Sequence, residues 1–126
     1  MATVSVGDVV LIFDGTTSPP KHKRLLCVSD AGWFLRINSK PLFRPHLAIF
    51  VADNQRCLDH DSFVELRGIL DLDLPSLEQD IIDNVARVLD KIGSATRSSL
   101  KAAVAAAVTL TRHEKAEIDR ELAKLP

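Results

Sequence analysis

The chain has 126 residues, 46% hydrophobic and 26% charged, with a formal net charge of −1. This is the balance of one folded domain large enough to bury a real core, and the domain is expected to span 1–126. Near-neutrality excludes a uniformly basic nucleic-acid coat, so any polyanion must be met by a local patch.

The opening MATVSVGDVVLIF has no basic lead, and Gly7 and Asp8 interrupt its apolar residues, unlike a secretory signal. The longest low-polarity run, AAVAAAVTL at 102–110, falls short of the roughly 20 residues that cross a bilayer. Cys27 lies in an apolar segment and Cys57 in a polar one, with no CxxC pair between them. Both read as free thiols of a reducing compartment, and the chain as a cytoplasmic protein without a membrane association.

Up to about residue 74 the apolar runs are short, β-branched and punctuated by turn residues, which predicts strands over 5–14, 24–29, 32–39, 47–52 and 62–68. The short SDAG link makes a hairpin of the second and third. Five short strands with no helical period between them predict a small, mostly antiparallel barrel or strongly bent sheet over 1–74. Leu25, Cys27, Ile37, Ile49 and Val64 are its expected core.

From 75 to 126 the pattern turns helical. Leu77, Ile81, Val85, Val88, Leu89 and Ile92 form one stripe that ends before Gly93, and Ser76 and Gln79 have capping-box spacing. A second helix is expected over 96–108, where Leu100, Val104 and Val108 recur at four-residue steps. Thr111 and Glu114 open a third, whose apolar face is Ile118, Leu122 and Leu125. The fold class is thus α+β, a β-barrel core followed by C-terminal helices packed on it.

Charge is unevenly placed along this chain. Residues 19–56 hold Lys21, Lys23, Arg24, Arg36, Lys40, Arg44 and Arg56 against only Asp30 and Asp53, while 71–90 carries Asp71, Asp73, Glu78, Asp80, Asp83 and Asp90. Antiparallel pairing of the second and third strands brings Lys21–Arg24 and Ser39–Arg44 to the same end of the sheet. The cations there suit phosphate, Asn38 and Ser39 supply an amide and a hydroxyl, and His22 and His46 supply imidazoles for proton transfer. Phe43, or Trp33 where exposed, suits base stacking, although Trp33 lies in an apolar run and reads as core. The competing reading is that these charges only solvate strand ends.

GDVVLIFD, KRLLCVS, FLRINSKP and SFVELRGILDLD, in this order and spacing over residues 5–74, resemble the MazF/PemK/Kid toxins of bacterial toxin–antitoxin systems. That resemblance implies an SH3-like barrel with helical additions, a homodimer, a cognate antitoxin partner, and cleavage of single-stranded RNA without metal or cofactor. By position, Ser29 matches the serine closing the second strand, and Asn38 with Ser39 the hydroxyl-bearing pair after the third. The family's catalytic arginine falls on Lys23 in an ungapped alignment and on Arg24 with a one-residue slip. Leu25 stands where the family has proline, and the arginine near its fifth strand falls close to Leu70.

Metal-independent RNA cleavage needs a base, an acid and cations around the phosphate. His22 and His46 are the candidates for proton transfer, Lys23 and Arg24 for holding the phosphate with Ser39 positioning it, and Lys21, Asn38, Lys40 and Arg44 for binding the RNA. The CLDHD run at 57–61 lacks the paired spacing of a structural zinc site and reads as a turn in which Asp59 or Asp61 bonds backbone. The alternative function is a non-catalytic module, or a degenerate toxin relative, that binds a protein through the barrel and helical tail.

Overall fold

The computed structural model describes residues 4–14, 18–19 and 21–125. In chain order it has β1 (Asp8–Asp14), β2 (Lys21–Ser29), β3 (Trp33–Asn38), β4 (His46–Ile49), a 3-10 turn at Val51–Asp53, β5 (Ser62–Glu65), β6 (Leu70–Asp71), α1 (Leu74–Ile82), β7 (Arg87–Lys91), α2 (Ser94–Ala106) and α3 (Arg112–Ala123). The strands form one antiparallel seven-stranded sheet in the order β4-β5-β3-β2-β1-β7, with β6 paired to β3 beside β5. Among the described residues the sheet is open, with β4 and β7 at its edges. The chain is therefore α+β.

The unbroken apolar run LLCV in β2 is explained by burial on both faces, since successive strand side chains point in opposite directions. Leu26 and Val28 join Val9, Leu35 and Ile37 beneath Leu100, Val104, Ile118 and Leu122 of α2 and α3. Leu25 and Cys27 join Val10 and Phe34 beneath Leu77 of α1. The sheet is thus covered by α2 and α3 on one face and by α1 on the other. All five expected core positions are buried: Leu25, Cys27, Ile37, Ile49 and Val64. The β2–β3 hairpin forms as expected, with Arg24 opposite Ile37 and Ser29 opposite Trp33.

The expected helix across 75–93 is corrected by the structure. α1 stops at Ile82, Asn84 takes a left-handed φ of 62°, and the chain returns as β7 along the outer edge of β1. Asn tolerates that conformation better than most residues, which ends the helix cleanly. A clasp between Lys91 Nζ and the buried Asp8 carboxylate, 3.0 Å apart, fixes the β1–β7 register. The Ser76–Gln79 capping box does not form. Asp73 is the N-cap, and Ser76 Oγ donates to its carboxylate at 2.6 Å. The Thr111–Glu114 box does form, with both reciprocal bonds present at 3.1 and 2.8 Å. Cys57 is buried rather than in a solvated loop.

Candidate nucleic-acid interface

β1 and β2 pair from Val9 opposite Leu26 out to Asp14 opposite Lys21, whereas β3 leaves β2 at Arg24 and β7 leaves β1 at Leu11. A two-stranded ribbon, residues 12–14 with 21–23, therefore extends past both neighbours. A cleft of about 200 Å³ opens on its β2 side. Lys21, His22, Lys23 and Arg24 form one wall, Ile37, Asn38, Ser39 and Leu42 the next, and His60 and Ser62 the third.

Strand alternation sorts these residues. Arg24 and, two residues back, His22 share the face of Leu26, Ile37 and Ser39. Lys21 and Lys23 fall on the face of Leu25 and Cys27, so they border the cleft from the far side of the ribbon. Four consecutive basic residues are thus divided between two faces.

Arg24 donates from Nε to the Cys57 carbonyl at 3.0 Å and places a terminal nitrogen 3.5 Å from Asp59. The same carboxylate lies 3.4 Å from His60 Nε2. His60 Nδ1 is 2.9 Å from the Asp61 carbonyl and 3.1 Å from Ser62 Oγ, and that hydroxyl donates to the His60 carbonyl at 3.0 Å. Both ring nitrogens thus have oxygens beside them. His22 stands edge-on to Phe13, with ring centroids 5.5 Å apart.

Sequence reasoning places Lys21, His22, Lys23, Arg24, Asn38 and Ser39 here, and they come together as expected. It missed His60 and Ser62, which enter because β5 pairs with the end of β3, Asn38 opposite Phe63. Of Asp59 and Asp61, either of which is expected to bond backbone, Asp61 does so, accepting from the Val51 amide at 2.9 Å, while the Asp59 carboxylate engages Arg24 and His60.

The remaining candidates lie elsewhere. Lys40 is exposed outside the cleft wall. Arg44 and His46 line a shallow depression with Pro45 and the 106–109 segment, and the His46 ring packs edge-on against Phe63. Ser29 is fully buried at the opposite end of β2, donating to Glu117 at 2.8 Å. Trp33 packs on the core beside His113, and Phe43 lies 4.4 Å beneath the Arg67 guanidinium.

The charge excess counted along 19–56 shrinks in space. Arg24 pairs with Asp59, Arg36 with Glu65 and Arg56 with Asp90, all acids from outside that window. Among the described residues, Lys21, Lys40 and Arg44 have no ion pair. The thiols are poor nucleophiles: burial pushes Cys27 up to about 12 and Cys57 up to about 11. Carboxylates of Asp30, Glu117 and Glu121 gather within 4.8 Å, but Arg120 and Lys124 already pair with Glu117 and Glu121.

Comparison with protein-family models, with curated proteins and with solved structures gave no match.

Proposed function

We propose that the cleft beside the β1–β2 ribbon binds the phosphodiester backbone of single-stranded RNA, and that the chain is a MazF/PemK-like endoribonuclease toxin whose bent sheet corresponds to an SH3-like barrel. The observation that carries this reading is the convergence of His22, Arg24, Asn38, Ser39, His60 and Ser62 on one solvent-open cleft from three separate strands or their ends.

The chemistry suits phosphodiester transfer. The 2′-oxygen attacks phosphorus and passes its proton to one imidazole. The bond to the 5′-oxygen breaks as a second imidazole protonates the leaving oxygen, giving a 2′,3′-cyclic phosphate and a 5′-hydroxyl. His22 and His60 are the two imidazoles of the cleft. Arg24, with Ser39 and Asn38, stabilises the charge that builds on the phosphoryl oxygens. The Asp59 carboxylate orients Arg24 and His60 before the substrate arrives.

Expression in a bacterium, with mapping of new RNA 5′ ends, tests the reading together with cleavage by purified protein. Growth arrest and products with 5′-hydroxyl ends are expected. No arrest and no cleavage would remove the enzyme.

A second reading, a non-catalytic protein-binding relative, is favoured by the engagement of Arg24 with Asp59 and the Cys57 carbonyl, which occupies the guanidinium that catalysis needs. It predicts a stoichiometric protein partner retained without RNA in a pull-down.

A further inference from the structure

The other side of the ribbon has a different character. β7 leaves β1 at Leu11, and among the described residues no backbone group pairs with the edge of Ile12 and Phe13 that faces away from β2. Beside this edge lies a groove of about 220 Å³, with Ile12, Phe13, Leu77 and Val85 among its apolar lining. Phe13 is 50% and Val85 53% exposed, and Ile82 nearby is 60% exposed. An unpaired strand edge next to an apolar groove fits an extended segment, which satisfies the edge with its own backbone and seats alternate side chains.

Charge selects the occupant. Asp73 and Asp80 line the groove, and Glu78 and Asp83 stand on and just past α1. No lysine or arginine occurs from 68 to 86, and none of these four acids has an ion pair among the described residues. Lys21 and Lys23, on β2 opposite Asp14 and Ile12, share the α1 face of the sheet, but neither lines the groove.

We propose that the groove between α1 and the free edge of β1 docks an extended segment of a protein partner that carries both apolar residues and lysine or arginine. The apolar side chains seat against Ile12, Leu77 and Val85, and the basic ones meet Asp73 and Asp80, which line the same groove. The site is separate from the RNA cleft and stands whether or not that cleft cleaves RNA.

The test is selection of displayed random nine-residue peptides on the full chain, followed by synthesis and titration of the enriched sequence. Enriched peptides should combine apolar with basic residues, and binding should slow amide exchange along the Ile12–Asp14 edge. The Asp73→Asn/Asp80→Asn variant should weaken that peptide about fivefold to tenfold, because two exposed charge pairs are lost. Asn keeps the N-cap at 73, and thermal unfolding checks that the variant folds. No enrichment, acidic or uncharged consensus sequences, protection away from the β1 edge, or an unchanged Kd in the folded variant would each overturn the proposal. So would sedimentation showing that a second copy of the chain covers the groove.

Discussion

The two oxygens of Asp59 face two different side chains, Oδ2 standing 3.5 Å from Arg24 and Oδ1 3.4 Å from His60 Nε2. This carboxylate holds both side chains at the rim of the cleft and competes with any phosphate for them. Asp59→Asn should therefore raise affinity for a single-stranded oligonucleotide about twofold to fivefold, the worth of one exposed pair. Stability should change by less than about 0.5 kcal/mol, because Asp59 is 67% exposed and carries no core contact. Fluorescence anisotropy and thermal unfolding check the two halves.

His22 and His60 are the imidazoles lining the cleft, whereas His46 lines another depression. His22→Ala and His60→Ala should each slow cleavage by about 10²–10⁴-fold, the usual contribution of a positioned acid or base. Oligonucleotide affinity should change little. His46→Ala should cleave at the wild-type rate, and single-turnover kinetics at saturating protein distinguishes the three.

Gly32 closes the β2–β3 hairpin at a φ of 96°, and a Cβ there would stand 2.4 Å from the Leu72 carbonyl oxygen. That backbone cannot retreat freely, because the Leu72 amide donates to the Gly32 carbonyl at 2.8 Å. Gly32→Ala should cost at least about 2 kcal/mol through strain and overlap together. Denaturant unfolding, with an unchanged slope and an earlier midpoint, measures it.

Glu121 is buried on α3, and the hydrogen bond from Lys124 Nζ at 2.5 Å holds its carboxyl below the ordinary 4.5, assisted by the Asp30 amide at 3.2 Å and opposed by burial. A depressed folded pKa contributes stability that is fully present above the unfolded value and lost as pH falls through the folded one. Wild-type stability should therefore decline on acidification below about 4.5, and Glu121→Gln should show a shallower decline over that range. Urea unfolding at stepped pH values reads the difference.

Much of the fold is legible because short β-branched and aromatic runs bounded by turn residues are a local signal. DVVLIFD, RLLCV and WFLRIN declare strands wherever they pair, and the Thr111–Glu114 box declares its helix start. β7 is not legible in the same way. Val85, Val88, Leu89 and Ile92 fit a helical stripe, and only the open outer edge of β1, a long-range demand, turns Arg87–Lys91 into a strand. The site divides similarly. Lys21–Arg24 and Asn38–Ser39 meet through a hairpin that can be read locally, whereas His60 arrives through pairing of β3 with β5. Counting charge along the chain also overstates the patch, since Asp59, Glu65 and Asp90 return to neutralise Arg24, Arg36 and Arg56.

The salt dependence of single-stranded RNA binding tests the central claim most directly. Three or four phosphate contacts predict a slope of log affinity against log salt near −2 to −3, at about 0.7 per contact. Lys23→Ala/Arg24→Ala should flatten that slope by roughly 1 to 1.5 while the chain still folds. A folded double variant that binds RNA with the wild-type slope would contradict the account and leave the basic ribbon as a solvated strand end.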